Sequence, residues 1–491
     1  MLENIKYANP EIFLSILAMV LLMVGVFNKN KPEITRTLFG AAALGLVVVI
    51  YLVYCAGNQA ALETYQVTAF NKGFVLDSFA VMMKILIAVV SIAVCIIAMN
   101  SKFYAGTNKN VFEFPVLMLL SIVGMFILTS SNDLMGFYIG LELQSLAAYV
   151  LVAINRDSEQ ATESGVKYFV LGALASGIIL FGASFIYGFS GATNLGDISV
   201  LLTMNNEQQT LSPGIIFGFV LVFAGLFFKL SAVPMHMWAP DVYEGSTKSV
   251  VAFITTAPKI AALAFLLRFI TTLDASLFAP FGKIIIFVSA ASMIVGAFAA
   301  LRQENFKRLL AYSSIANMGY MLIAAAIGSQ TALTAGVIYL VIYMVGSIGI
   351  FAIISLIQNE SEDLEKITDL SGLAKTNPIL AIAMAVLMFS IAGIPPMAGF
   401  FGKFFVFKEA INSNLITLAI IGVVTSVVAC FYYLRIVKVM YFDERDSARN
   451  DIVVAPSLKL VIGLSIAFTL SMIFFSQDLI EIARTATISL F

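Results

Sequence analysis

Runs of continuous apolar residues recur along nearly the whole chain, and no other feature limits its fold so tightly. A helix crossing a bilayer needs about 20 such residues. The runs fall at residues 11–27, 38–56, 77–99, 112–130, 132–154, 161–189, 214–238, 248–272, 276–300, 309–328, 332–357, 378–410, 414–441 and 457–475. That makes fourteen, with a tight turn assumed at residues 130–133 between the fourth and fifth. Of the 491 residues, 60% are apolar and 12% charged, roughly half the charge of an ordinary soluble chain. A soluble enzyme and a disordered chain are excluded. So is a β-barrel, whose strands alternate apolar and polar residues. The expected fold is all-α and integral to the membrane, with about fourteen transmembrane helices. The first run lacks a basic leader and a small-residue cleavage site, and Glu3 and Glu11 flank it, so it reads as a span and not as a signal peptide.

Charge in the connections gives sidedness. Lys29, Lys31, Arg36, Lys102, Lys109, Arg156, Lys248, Arg302, Lys307, Arg308, Lys366, Lys375, Arg445 and Arg449 follow odd-numbered spans; only Lys6, Lys72, Lys283 and Arg484 lie in even connections or at the termini. The positive-inside rule then places odd connections on the cytoplasmic (or matrix) side and both termini opposite. The net charge of −1 shows no basic bias toward nucleic acid. Cys55, Cys95 and Cys430 sit singly in apolar runs, in no spacing suited to zinc, an iron–sulfur cluster or a disulfide framework, so no metal site is expected. No connection is long enough for a soluble domain. No dinucleotide fingerprint or phosphate-binding loop is present, so a nucleotide or redox cofactor has to sit on another polypeptide.

Weak self-similarity points to a duplication. At an offset of 171, Tyr149 falls on Tyr320, Tyr168 on Tyr339 and Ser176 on Ser347; at 162, Val233–Met235 falls on Pro395–Met397. Both shifts carry spans four to eight onto nine to thirteen. Five is odd, so the second unit enters the membrane from the other side, as in the inverted repeats of many transporters. The chain divides into a three-helix segment at 1–111, a first repeat at 112–272, an inverted second repeat at 273–441, and a loop with the last helix at 442–491.

A charge at the bilayer centre costs about 2.5–3.5 kcal/mol on insertion scales, so each one needs a reason. Glu142 lies mid-span in the fifth helix, with Ser145 and Tyr149 on its face. Lys229 sits in the seventh, Lys259 in the eighth after Pro258, Lys403 in the twelfth, and Lys167 early in the sixth. One reading is that these are paired structural charges or snorkelling lysines, and snorkelling suits Lys84, Arg268, Lys408 and Arg435 near span ends. The other is proton transfer: desolvation disfavours an ammonium and a nearby carboxylate favours it, so moving Glu142 against Lys229 switches a lysine between holding and releasing its proton. A calcium or magnesium cage would need several carboxylates together.

Pro234 and the pair Pro395 and Pro396 break the seventh and twelfth spans beside Lys229 and Lys403. Each is read either as a simple kink or as exposed backbone lining a wet half-channel. His236, the only histidine, is either a proton relay from Lys229 or a satisfied structural group. Trp238 and Tyr243 read as interface anchors.

GLELQSLAAYVL around Glu142, KYFVLGALASGIILFG from Lys167, FKLSAVPMHMWAPDVYEGS around Lys229, AFITTAPKIA around Lys259, KRLLAYSSIANMGY, and GIPPMAGFFGKF around Lys403 together resemble the antiporter-like membrane subunits of respiratory complex I. The resemblance runs from about the fourth span to the thirteenth. The GLELQSL form and the lysine of the twelfth span are most similar to the subunit N branch of the proton-translocating NADH-quinone oxidoreductase. It implies that Glu142 partners Lys229, that Lys259 connects the half-channels, that Lys403 lies on the exit side, and that Lys167 and His236 belong to the axis. It also implies flavin, iron–sulfur clusters and quinone on partner subunits with no cofactor on this chain, sister antiporter-like subunits as neighbours, and a bacterial inner membrane with both termini periplasmic. The other readings are a subunit of a multisubunit sodium/proton antiporter, or of a proton-pumping membrane hydrogenase.

Overall fold

The computed structural model describes residues 2–29, 33–63, 66–101, 111–206, 212–273, 275–357, 365–444 and 454–491. Lys31, Lys102, Lys109, Arg445 and Arg449, used above for sidedness, lie outside them. Helices dominate: α1 (Asn9–Phe27), α2 (Ile34–Glu63), α3 (Ser78–Met99), α4 (Glu113–Thr129), α5 (Leu134–Val152), α6 (Glu159–Ser190), α7 (Leu195–Asn206), α8 (Pro213–Lys229) and α9 (Trp238–Gly245). They continue with α10 (Lys248–Thr271), α11 (Ala275–Leu301), α12 (Phe306–Ile327), α13 (Gln330–Leu356), α14 (Pro378–Ala392), α15 (Ala398–Asn412), α16 (Ile416–Phe442) and α17 (Pro456–Ile488). Eleven of the described helices are long and apolar enough to cross a membrane, and α4, α8 and α14 are shorter apolar helices.

Burial sorts these helices. In α10 all 23 residues from Lys248 to Ile270 are buried, and a helix apolar all round belongs at the centre of a bundle. It packs against α3, α4, α5, α8, α12 and α13, and it carries Lys259. Phe137 of α5 stacks flat on Phe265 of α10, ring centroids 3.9 Å apart. By contrast α1, α6 and α16 leave apolar faces outward, among them Met19, Leu174 and Val427.

Close backbone approach sets the α4–α5 crossing. A methyl at Gly124 would lie 2.7 Å from the Gly140 carbonyl oxygen, and one at Gly140 would lie 2.8 Å from the Leu128 nitrogen. Gly124→Ala should therefore cost about 1–3 kcal/mol by overpacking, read as a lowered thermal midpoint of the purified protein. An unchanged midpoint would mean that the helices part freely.

Two buried ion pairs correct the snorkelling expectation for Lys84 and Arg268. Lys84 (α3) is wholly buried, 2.5 Å from Glu11 of α1, with the Phe74 ring 4.8 Å from its ammonium. Arg268 (α10) makes a two-pronged bond to Asp77, at 2.7 and 3.0 Å. The partners stand 73 and 191 residues away in sequence, so no local pattern announces them. Arg435 donates to the carbonyls of Leu301 and Gln303, at the end of α11, and Lys408 is exposed.

The helices agree closely with the apolar runs, with three differences. Residues 230–237 interrupt the seventh run, whose helix resumes as α9 and continues to Gly245. Residues 393–397 interrupt the twelfth. The last helix passes a non-helical Phe475 and continues to Ile488, because its later turns are amphipathic and fall below an apolar threshold. A hairpin of β1 (Gln66–Ala69) and β2 (Phe74–Asp77), and α7, are not legible as spans. The hairpin is stitched to two neighbouring connections: Val75 N–H donates to the Ser130 carbonyl, and Asn132 and Asn194 side chains donate to the Lys72 carbonyl. At another face Phe306 N–H donates to the Glu365 carbonyl and Lys307 to the Ser246 carbonyl.

Candidate functional site: a row of buried lysines

Helix breaks position the lysines. Lys229 is the last residue of α8. There the chain leaves helical geometry: Ser231 has φ +58°, strained for a residue with a side chain, and the Val233–Pro234 bond is cis. Carbonyls freed by the break need donors, and the Trp238 indole N–H bonds that of Phe228 at 2.9 Å. Trp238 also stacks on Tyr168, centroids 4.5 Å apart. Both Trp238 and Tyr243 are buried, which corrects their reading as interface anchors; neither sits at a surface. The second break differs in order. Lys403 lies after it, in α15, and reaches back to the last carbonyl of α14, Ala392, at 2.9 Å. Gly393 ends α14 with φ +86°, and a β-carbon there would press on the Lys403 side chain. Pro395–Pro396 is likewise cis.

The Lys229 ammonium donates to the Ser145 hydroxyl at 2.7 Å and to the Tyr149 hydroxyl at 3.1 Å. Both acceptors lie on the α5 face of Glu142, as their spacing predicts. Glu142 itself forms no ion pair with Lys229 in this structure, and its Oε1 is buried with no protein partner. Lys259 is fully buried and donates to Ser314 of α12 at 2.6 Å, with the Tyr243 ring 5.7 Å from its ammonium. Lys403 donates to Ser426 at 2.8 Å as well as to the Ala392 carbonyl.

Further polar side chains stand beside the three. Gln144 of α5 reaches the Pro258 carbonyl, next to Lys259, at 3.5 Å. From Ser314 the polar stripe of α12 continues: Ser313 pairs with the Tyr433 hydroxyl at 2.5 Å, and Asn317 accepts from the Tyr339 hydroxyl at 2.5 Å. Tyr320 pairs with Thr425 at 3.3 Å, and its ring lies 4.9 Å from the Lys403 ammonium. Reasoning from costly charges passes over this stripe. A signal for it exists in the sequence, because Ser313, Asn317 and Tyr320 stand at i, i+4 and i+7 within an apolar span.

Lys167 and His236 stand apart. Lys167, its side chain 42% exposed, bonds Glu163 at 2.7 Å and Asp241 at 2.9 Å. Asp241 also takes Arg308, which in turn reaches Glu244, both at 2.8 Å. This surface network ties α6, α9 and α12 together, and only its Glu163–Lys167 pair, four residues apart on α6, is legible in the sequence. His236 lies in the first break, where its Nδ1 is buried with no protein partner, so it is not bonded through that atom to Lys229.

Partner chemistry separates two kinds of buried charge. Lys84 and Arg268 face carboxylates, which lock them in ion pairs. Lys229, Lys259 and Lys403 face hydroxyls and one carbonyl. A hydroxyl accepts from an ammonium or donates to an amine by rotating its hydrogen, so such a site accommodates both protonation states. Among the described residues no group of three or more His, Cys, Asp or Glu could hold a metal ion.

Residues 131–429 match the family model described as NADH:quinone oxidoreductase/Mrp antiporter, transmembrane. NADH-quinone oxidoreductase subunit N 1 of Rhizobium meliloti is 44% identical over 494 aligned positions, covering 100% of this chain and 99% of that protein. Subunit N of Parvibaculum lavamentivorans is 47% identical, over 98% of this chain and 96% of its own length. A chain of respiratory complex I from Thermus thermophilus, solved with bound aureothin, superposes with a TM-score of 0.79 at 29% identity, over 96% of this chain and 98% of that one.

Proposed function

Because the chain belongs to the subunit N family of NADH-quinone oxidoreductase, a proton-translocating membrane part of complex I, we propose that its buried lysine row is the path its protons take. The observation that carries this reading is the partner set: three ammonium groups deep in the bundle, each held by a neutral hydroxyl and none by a carboxylate. Glu142 Oε1 and Gln144 Oε1, on the helix that supplies the acceptors of Lys229, and Ser231 Oγ, two residues after it, are buried with no protein partner, and buried polar groups of that kind are where ordered water binds. Glu142 modulates Lys229; Lys259 passes the proton along α12; Lys403 delivers it. Lys167 and His236 act at the edge of this route, Lys167 through Asp241.

We further propose fourteen crossings, with α8–α9 and α14–α15 as the two broken ones, in two inverted repeats at 112–272 and 273–441. Tyrosine pairs support it. Tyr149 meets Tyr168 edge-on at 4.7 Å and faces Lys229; Tyr320 meets Tyr339 edge-on at 6.1 Å and faces Lys403. These are the pairs related by the 171-residue offset. Stitching among connections after even spans (around the hairpin), and separately among those after odd spans, supports termini on the periplasmic side of a bacterial inner membrane. In this scheme flavin, iron–sulfur clusters and quinone belong to partner subunits, and sister antiporter-like subunits adjoin this one.

Ser314→Ala tests the route without changing charge. Losing this hydrogen bond costs about 1–3 kcal/mol, so NADH-driven acidification in proteoliposomes should slow roughly tenfold, and Ser314→Thr should restore it. Parental rates in Ser314→Ala would refute the route through Lys259.

A further inference from the structure

A groove of about 880 Å³ lies among α1, α4, α5 and α6 and meets the lysine contacts at Tyr149. Its volume is in the range of small-molecule sites. Its walls include Leu22, Leu117, Leu120, Val150, Val166 and Phe169. Val150, Val166 and Phe169 are 55%, 57% and 50% exposed, so in a membrane-spanning chain the groove opens sideways toward lipid.

One end differs. Glu113, Asn155, Arg156 and Asp157 line the mouth, where α5 gives way to α6 at a membrane face. Among the described residues, two carboxylates and one guanidinium oppose a purely anionic headgroup and match a zwitterion. A phosphate suits Arg156, which can bond it in two places, and a primary ammonium suits the carboxylates. The inner end is closed by Tyr149, edge-on to Phe169 at 5.9 Å.

We propose that this groove binds a glycerophospholipid with an ammonium-bearing headgroup of the phosphatidylethanolamine type. Its phosphate meets Arg156, its ammonium meets the carboxylates of Glu113 and Asp157, and an acyl chain lies along α6 toward Tyr149. The lipid thus backs the side chain that holds Lys229, although binding itself does not depend on the proton route.

The test uses the assembled complex in lipid nanodiscs with a phosphatidylethanolamine carrying a photoactivatable acyl chain. Labelled peptides are mapped by mass spectrometry. Label is expected on the peptides holding Val150, Val166 and Phe169, displaced by unlabelled phosphatidylethanolamine and not by phosphatidylglycerol. Val166→Trp should abolish it, whereas Ile139→Trp, on an exposed part of α5 outside the groove, should leave it. Arg156→Gln should require about tenfold more lipid, the loss of a charge-assisted bond. Label elsewhere, equal displacement by phosphatidylglycerol, or capture of a neighbouring subunit by a photocrosslinker placed at Val166 would each overturn the proposal.

Discussion

Lys229→Ala should leave an assembled complex whose NADH-driven proton translocation is about 10- to 100-fold slower, within the scale expected for losing a positioned proton carrier. The alternative, simple unfolding, is separable. Removing Lys229 breaks no ion pair, because its acceptors Ser145 and Tyr149 are neutral. The remaining cost is a cavity, and Lys229→Met refills most of it. Lys229→Arg is the sharper variant. It keeps the positive charge but cannot deprotonate at any relevant pH, so a structural cation would be replaced successfully and a proton carrier would not. Pumping at parental rate in Lys229→Arg, measured with a pH-sensitive dye in proteoliposomes, would remove Lys229 from the route.

The opposite behaviour is expected of the locked charges. Asp77→Ala leaves the Arg268 guanidinium buried without its carboxylate and also removes the cap on the first turn of α3, where Asp77 accepts from Ala80 N–H at 2.7 Å. Stranding a buried charge costs about 3–5 kcal/mol, so the protein should lose much of its assembly and unfold at markedly lower temperature. Replacing both partners, as Asp77→Asn with Arg268→Met, should recover most of that loss. It should do so with normal pumping per assembled complex, since the pair takes no part in proton movement. A single Asp77→Ala with parental stability would show that the guanidinium finds water.

Much of this is written into local pattern. Apolar runs place almost every helix because hydrocarbon length fixes span length, and the prolines mark both breaks. Glu142, Lys229, Lys259 and Lys403 stand out because charge in such runs is costly. What fails to show is long-range. The carboxylates that neutralise Lys84 and Arg268 come from distant elements, and the surface network around Asp241 joins three helices. The hairpin is too short to register against helical periods. The hydroxyl stripe of α12 is readable at i, i+4 and i+7, yet serine and tyrosine cost little in a span and so attract less notice than a lysine.

Energetically the scheme is proportionate. One charge crossing about 100 mV is worth about 2.3 kcal/mol, comparable with the cost of one or two hydrogen-bond rearrangements along the row. Lys259 is its least escapable member, wholly buried in the central helix and joined to α12 by a single hydroxyl. The count of protons moved per NADH oxidised, in an assembled complex carrying Lys259→Met, therefore tests whether protons pass along the buried lysines. A lower count, or pumping and electron transfer slowed together, is expected with assembly intact. An unchanged count at an unchanged rate would mean that protons cross elsewhere and that the buried lysines merely hold helices together.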